Sequence, residues 1–126
     1  MRTAMILREM MKAKIHGIVV TDRNLHYTGS LGIDAKLLDS AGILPFEKIQ
    51  VVNLDNGERM ETYALRDPPG SGACVLNGGM AHKGKPGDRL LVITYVQADE
   101  ESARALTPQV LVMSGNDNTK FELRNR

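Results

Sequence analysis

The pair Gly29-Ser30 is the part of this sequence with the most distinctive chemical potential. The Ser30 hydroxyl can attack the Gly29 carbonyl and move the acyl group from nitrogen to oxygen. β-Elimination of the ester then releases the Gly29 carboxylate, and hydrolysis of the remaining dehydroalanine leaves a pyruvoyl group. The chain would become two, residues 1–29 and residues 30–126, and the second would begin with a ketone. A ketone is an electrophile that condenses with an amine to form an imine. No ordinary side chain can act as the electrophile in that reaction.

The same dipeptide also has a simpler interpretation as a turn. Glycine followed by serine is common in loops, where glycine supplies a positive φ. The two residues alone therefore leave both interpretations open, and the choice between them depends on the rest of the sequence.

Several short blocks of sequence accompany this pair. They are residues 14–16, 25–30, 56–64, 77–82 and 87–88. In this order and at these separations, the blocks resemble the aspartate 1-decarboxylases, which make β-alanine for pantothenate and coenzyme A synthesis. The similarity covers roughly residues 6–113. It implies a lyase that is made as a zymogen, as a single domain of residues 1–126, and that cleaves itself into a β chain (1–29) and an α chain (30–126).

The resemblance also implies roles for individual residues. Ser30 becomes the covalently bound pyruvoyl group, which forms a Schiff base with the substrate L-aspartate, and Tyr63 is the catalytic proton donor. The implied substrate-binding residues are Thr62, Gly78, Gly79, Met80, Arg59 and Lys14. The implied self-processing residues are Gly29, Ser30 and Asn77. This chain has Gly79-Met80 where the family usually carries two alanines, which main-chain contacts would tolerate, although the bulk of Met80 would narrow a pocket.

The residue types suit these roles. Tyr63 is a directional donor that stays protonated at neutral pH. Arg59 presents a planar fork for the carboxylate that the substrate keeps, a task that Lys14 would share. Asn77 can donate an amide N–H to the oxyanion that forms at Gly29, or it can simply bond its own backbone in a turn.

Ordinary structural interpretations remain for the other residues too. Tyr63 fits a cross-strand tyrosine with its ring in the core. Arg59 fits a surface arginine paired with Glu58 or Glu61, which would stabilise the protein little. Lys14 shares one strand face with His16, and that face could be solvated.

The need for an electron acceptor determines the expected cofactor. Decarboxylation of an amino acid leaves two electrons on the α-carbon, and pyridoxal phosphate is the usual acceptor. The sequence has no glycine-rich phosphate-binding turn leading into a helix, and no lysine stands out as an anchor for that cofactor. The pyruvoyl group made from Ser30 meets the same need. Three histidines without paired spacing do not predict a metal site, so we expect no metal.

Composition limits the other possibilities. A chain of 126 residues with 42% hydrophobic and 25% charged residues is an ordinary single domain. A net charge of +1 predicts neither nucleic-acid nor membrane binding. The apolar run that begins at Met5 is interrupted by Arg8 and Glu9, so it does not predict a signal peptide. A single cysteine, Cys74, between apolar neighbours predicts a buried thiol and fits a reducing, cytoplasmic setting.

Hydrophobic periodicity predicts mainly strands. We expect strands over residues 11–21, 48–54, 58–65, 73–76, 89–97 and 110–112, and a short extended piece over residues 25–30. Turns are expected at residues 22–24 and 55–57, and short helices at 34–41 and 99–104. The polar tail from Ser114 gives no clear signal. The pattern predicts a small, mainly β barrel with one or two short helices, and the resemblance implies the double-psi β-barrel.

Two functional hypotheses follow. The first is a pyruvoyl-dependent decarboxylase, which the resemblance implies is a homotetramer with active sites at subunit boundaries. The second is a non-catalytic barrel of the same kind, used for protein binding or assembly, in which Gly29-Ser30 is only a turn. Cleavage of the chain at this bond distinguishes them.

Overall fold

The computed structural model describes residues 4–125, in which strands predominate. The strands are β1 (Arg8–Val19), β2 (Asp22–Asn24), β3 (Ser30–Asp34), β4 (Lys48–Asn53), β5 (Arg59–Asp67), β6 (Cys74–Asn77), β7 (Arg89–Ala98), β8 (Gln109–Ser114) and β9 (Lys120–Arg124). The helices are α1 (Ala35–Ala41), α2 (Glu100–Ala105) and a 3₁₀ helix at Gly78–His82. The prediction of a mainly β domain with short helices is confirmed.

The strands form one mixed sheet in the order β2-β6-β3-β5-β4-β7-β1-β8-β9. The pairs β1·β8, β2·β6 and β3·β5 are parallel, and the other pairs are antiparallel. Parallel pairs require crossover connections, so this chain cannot be a simple series of hairpins. Within residues 4–125, no pairing joins β2 to β9, and the sheet is therefore not closed by hydrogen bonds.

The sheet nevertheless curls around one core. Buried side chains from seven of the strands and from α1 belong to a single hydrophobic cluster. A flat sheet of nine strands would be about 40 Å wide, which is too wide for distant strands such as β6 and β8 to share a core. The barrel-like shape expected from the sequence is thus present in the described residues.

Alternation along the strands gives the sheet a core face and an outer face. On β1, Ala13 and Ile15 are completely buried, whereas Lys14 is only half-buried. Because paired residues of neighbouring strands point to the same face, the row Lys14, Ile93, Gln50 and Glu61 crosses β1, β7, β4 and β5 on the outer face. We call this side of the four strands the outer face below.

Helix α1 follows the predicted capping pattern. The side chain of Asp34 accepts a hydrogen bond from Lys36 N, and Gly42 ends the helix in the left-handed conformation. Asp34 also accepts hydrogen bonds from the backbone N–H groups of Gly70 (3.0 Å) and Gly72 (2.8 Å). One carboxylate therefore caps the helix that follows β3 and fixes the loop between β5 and β6.

Two predictions near the candidate bond are wrong. Residues 22–24 are not a turn, because Asp22, Arg23 and Asn24 form β2 and pair with β6. Residues 25–29 are not extended, because they form a turn, and strand β3 begins only at Ser30. The polar sequence of β2 carries no strand signal of its own, so only its pairing with β6 identifies it.

The tail that gave no clear signal is ordered within the described residues. Strand β9 pairs with β8, and the buried side chain of Asn118 fixes the turn between them. Asn118 Nδ2 donates to the carbonyls of Val19 (2.8 Å) and Gly72 (2.9 Å), and its Oδ1 accepts from Val19 N (2.8 Å). One side chain thus attaches the tail to the end of β1.

Candidate active site

Ser30 and Asn77 form the centre of the candidate site. Both are buried, and they are directly paired in the antiparallel ladder between β3 and β6. Asn77 Nδ2 donates a hydrogen bond of 3.0 Å to Ser30 Oγ. The sequence predicted that Asn77 would donate to the oxyanion at Gly29. In the structure the acceptor is instead the hydroxyl of Ser30, on the other side of the same peptide bond.

A close backbone contact shapes the turn before Ser30. Gly78 has φ +62, and a Cβ atom placed on it would lie 2.7 Å from both Gly29 Cα and Gly29 N. The same atom would lie 2.8 Å from the carbonyl oxygen of Tyr27. Only glycine fits at position 78, because both the conformation and the approach of residues 27–29 exclude a side chain. Gly79, in contrast, is exposed and faces open space.

Tyr63 lies beside the candidate bond. Strands β3 and β5 are parallel, and Leu31 pairs with Ala64. Ser30 and Tyr63 directly precede these two residues, so the first residue of β3 lies beside the middle of β5. Tyr63 is half-buried, with its ring centroid 6.4 Å from that of Phe46.

Phe46 was not predicted to belong to the site. It has φ +70, which is uncommon for a bulky residue, and its N–H donates to Ala64 O over 2.7 Å. The ring of Phe46 is exposed beside Tyr63. In the sequence it follows Pro45 in a loop, and nothing there signals its contact with β5.

Arg59 and Lys14 share the outer face with Tyr63 but lie away from it. Arg59 is four residues before Tyr63 on β5, which is about 13 Å along a strand. Lys14 is on β1, three strands and about 14 Å across the sheet from β5. A single chain therefore does not gather both cations around Ser30.

Two ion pairs near Arg59 bear on its alternative interpretation as a surface arginine paired with a glutamate. Glu58 pairs with Lys83 (3.3 Å), and Glu61 pairs with Lys48 (2.8 Å). The two glutamates that were considered as partners of Arg59 are thus both engaged by lysines. Arg59 itself is exposed, and its guanidinium is accessible to a carboxylate from outside the sheet.

The remaining predicted substrate-binding residues are divided between surface and core. Thr62 is half-buried and alternates with Tyr63, so it faces the other side of β5. Met80 is 7% exposed and belongs to the hydrophobic core. Its side chain therefore points away from the surface, and the backbone of Gly78, Gly79 and Met80 forms the start of the 3₁₀ helix beside Ser30 and Asn77.

Two of the surface depressions are lined in part by β1. The larger, of about 480 Å³, is lined by Glu9, Lys48, Gln50, Glu61, Tyr95, Val96 and Gln97. The smaller, of about 260 Å³, is lined by Lys14, His16, Val110, Val112 and Arg124. Lys14 and His16 share one face, as predicted. Neither depression includes Ser30.

Two acidic groups, the half-buried carboxyl of Asp67 and the buried thiol of Cys74, lie on the two strands that pair with β3. Burial raises the pKa of the Asp67 carboxyl. Burial, reinforced by the negative charge of Asp67, raises the pKa of the Cys74 thiol well above its usual range. Cys74 is completely buried, which confirms the predicted burial of its thiol, and at neutral pH the thiol stays protonated.

Residues 4–125 contain neither a metal-binding cluster nor a membrane-spanning helix. Within that range, no three His, Cys, Asp or Glu side chains are grouped as a metal ion would require. None of the helices described there has the length and apolar character to cross a membrane.

Comparison with known proteins identifies the family. The sequence model of the family described as aspartate decarboxylase matches residues 6–120. A protein of Clostridium kluyveri named aspartate 1-decarboxylase is 46% identical over 114 residues, which cover 90% of this chain and 89% of the relative. Proteins with the same name from Acaryochloris marina and Bordetella pertussis are 46% and 44% identical, covering 84% and 90% of this chain and 81% and 93% of their own. The blocks around Gly29-Ser30 therefore reflect common descent, and the chain belongs to the aspartate decarboxylase family.

Proposed function

We propose that this protein decarboxylates L-aspartate to β-alanine and CO2 for pantothenate synthesis, after cleaving itself between Gly29 and Ser30. The observation that carries the proposal is the buried hydrogen bond from Asn77 to Ser30 Oγ, at the junction of a turn and a strand. Membership of the aspartate decarboxylase family supports the same reaction. As carboxy-lyases, such enzymes break one carbon–carbon bond and need no net oxidant.

The arrangement suits self-processing. Because Oγ accepts its hydrogen bond from Asn77, the hydroxyl proton of Ser30 is not committed to that contact and can leave during attack on the Gly29 carbonyl. The acyl group moves from the nitrogen to the oxygen of Ser30. Elimination then removes the Cα proton of Ser30, breaks the Cβ–O bond and releases the Gly29 carboxylate. Water finally displaces ammonia from the dehydroalanine. The amide of Asn77 lies close enough to stabilise charge as it develops during the first step.

The site fits a pyruvoyl cofactor made from Ser30. This group, when formed, supplies the electron acceptor that decarboxylation requires. Position 30 is completely buried in the uncut chain. The amide N–H of Asn77, which now meets an oxygen acceptor, is equally suited to a carbonyl oxygen. No phosphate-bearing cofactor needs to be accommodated for this chemistry.

Three side chains complete the proposed mechanism. Tyr63, beside the head of β3, donates the proton that replaces the lost carboxylate. Arg59 and Lys14 hold the carboxylate that the substrate keeps. A clamp on the departing carboxylate would stabilise the bound substrate more than the transition state and so slow the reaction. Binding the retained carboxylate avoids this cost.

The proposed assembly is a homotetramer, each subunit having an α and a β chain, in the cytoplasm. Its support is geometric. On the outer face of one chain, Arg59 lies about 13 Å along β5 from Tyr63, and Lys14 lies about 14 Å across the sheet from β5. A second copy packed on this face would bring its own residues to Ser30, which one chain alone does not do.

Mass spectrometry of the denatured protein tests the proposal. We expect two fragments, residues 1–29 and residues 30–126, the second lacking an N-terminal amine and trapping aspartate in the presence of borohydride. The variant Ser30→Ala should remain one chain and be inactive. Prolonged warming before analysis distinguishes a slow precursor from a chain that never cleaves.

An uncut chain after warming, with no β-alanine formed, would favour the non-catalytic barrel. An uncut chain with an unmodified serine that still forms β-alanine would disprove the mechanism while leaving the activity intact.

A further inference from the structure

We propose that Arg124 acts with Lys14 to bind the carboxylate that the substrate keeps, and so contributes to the selection of aspartate. The inference rests on the proposed function, including the second copy whose outer face would bring Lys14 to Ser30, and adds a specificity-determining residue to it. Arg124 lies in the tail, outside every block of sequence that suggested the site.

Strand register brings the two cations together. Lys14 on β1 pairs with Val110 on β8, and Val110 pairs with Arg124 on β9. The three residues therefore form one row on one face, with the two backbones of the cations about 10 Å apart. Valine is short, so the longer side chains of Lys14 and Arg124 extend past it from both sides. Both line the same depression of about 260 Å³.

The charge of the depression favours an anion. Its lining has two permanent cations, one histidine and two valines, and contains no acidic side chain. The volume is sufficient for one end of a small dicarboxylic acid. A guanidinium can bind both oxygens of a carboxylate, whereas an ammonium acts as a point charge. Lys14 and Arg124 therefore offer complementary contacts to a single carboxylate.

Arg124 forms an ion pair with Glu122 in its own chain, and this pair holds the guanidinium only weakly. Arg124 Nη2 lies 3.1 Å from Glu122 Oε2, and both side chains are at least half exposed. An exposed pair of this kind is weak. It also uses one nitrogen of the guanidinium and leaves other N–H groups for a ligand. Glu122 is thus a competitor of the substrate carboxylate for Arg124.

Steady-state kinetics with L-aspartate test the inference. For Arg124→Gln we expect KM to rise about fivefold, the change that corresponds to roughly 1 kcal/mol of a partly exposed ion pair, with kcat within about twofold. Arg124→Lys should restore part of the loss. Glu122→Gln should change KM in the opposite direction, because it removes the competing carboxylate.

Lys120→Gln is the matched control. Lys120 is exposed on the same strand and loses the same charge on substitution, but it does not line the depression. We expect its KM to equal that of the unmodified protein. An unchanged KM for Arg124→Gln would overturn the inference, and so would an equal rise for both variants, since that would indicate a general effect of net charge.

A binding measurement separates this inference from the proposed function. Succinate keeps two carboxylates but has no amine, so its binding needs no reaction at Ser30. Calorimetric titration should show weaker succinate binding to Arg124→Gln than to Lys120→Gln, and equal binding would overturn the inference. If the unmodified protein neither cleaves nor turns over aspartate, the proposed function fails, while the succinate comparison still decides the role of Arg124.

Discussion

Asn77 and Ser30 face each other across an antiparallel ladder, and the amide of Asn77 donates to the hydroxyl of Ser30 over 3.0 Å. This contact links two segments 47 residues apart in the chain. Among the described residues, Asn77 is the one side chain that donates a hydrogen bond to the Ser30 side chain. The first prediction concerns its removal.

Replacing Asn77 by Ala should slow cleavage at Gly29-Ser30 by about 10²–10³-fold, because loss of a donor to a developing oxyanion typically costs about 2.7–4 kcal/mol. The rate is measured as the appearance of the 30–126 fragment over time by mass spectrometry. Asn56→Ala, in an exposed turn, should cleave at the normal rate. Normal cleavage of Asn77→Ala would exclude the proposed role.

A methyl group at position 78 should also block maturation. Gly78→Ala places a Cβ against Gly29 and the Tyr27 carbonyl, at a φ that disfavours it, so the turn that presents the bond must move. Gly79→Ala adds the same methyl group in open space and should mature normally. Circular dichroism shows whether each variant keeps its fold. Equal maturation of the two folded variants would contradict this account of the turn.

Removing one hydroxyl should separate maturation from catalysis. Tyr63→Phe keeps the ring beside Phe46, so we expect cleavage to proceed, but kcat for aspartate should fall about 10²–10⁴-fold with the loss of a positioned proton donor. Tyr95→Phe is the control, since the Tyr95 hydroxyl donates to Gln50 Oε1 (3.0 Å) elsewhere on the sheet. A kcat for Tyr63→Phe near that of the control would assign the proton to another group.

Asp67 should make stability depend on pH in an unusual direction. Burial raises the pKa of this carboxyl above its ordinary value of 3.8, so the folded chain binds the proton more tightly than the unfolded chain. The contribution of Asp67 to stability is therefore present at low pH and lost as pH rises through its folded pKa. At pH 7 the charged group destabilises the fold, and Asp67→Asn should raise Tm there but not at pH 3.

The control for this experiment has the opposite sign. The hydrogen bond from Arg66, together with the charge of that residue, lowers the pKa of Asp39, so its contribution is present above pH 3.8 and lost as pH falls through the lowered value. Asp39→Asn should therefore lower Tm at pH 7 and not at pH 2. All variants are compared in the Ser30→Ala background, so that each sample is one uncut chain. A lower Tm for Asp67→Asn at pH 7 would contradict the prediction.

Elements fixed by residues close together in the chain could be predicted from the sequence, whereas elements fixed by distant pairing could not. Helix α1 was predictable because Asp34 and Gly42 act on residues close to them in the chain. Strand β7 was predictable from its long apolar run. Strand β2 was not, because its three residues are polar and only their pairing with β6 identifies them. Strand β9 was also missed, although Phe121 and Leu123 alternate with charged residues there, because the run is short and lies in a mostly polar tail.

The candidate site shows the same division. Motifs identified Ser30, Asn77 and Tyr63, and the structure brings these three segments together through the pairing of β3 with β5 and β6. No motif indicated Phe46 or Arg124, since their positions depend on a strained loop and on a strand in the tail. The burial of Met80 was equally inaccessible, because nothing in the sequence shows which way a 3₁₀ turn faces.

Strand β1 lies between β7 and β8, with ladders on both sides, yet it belongs entirely to the first 29 residues. After a cut following Gly29, strand β1 of the small fragment would stay hydrogen-bonded between two strands of the large fragment. No covalent bond would then join the two fragments. Denaturing such a molecule would release two independent solutes, and its melting point would depend on how dilute the sample is. Recovery after denaturation would then require the halves to find each other, whereas the uncut precursor folds alone.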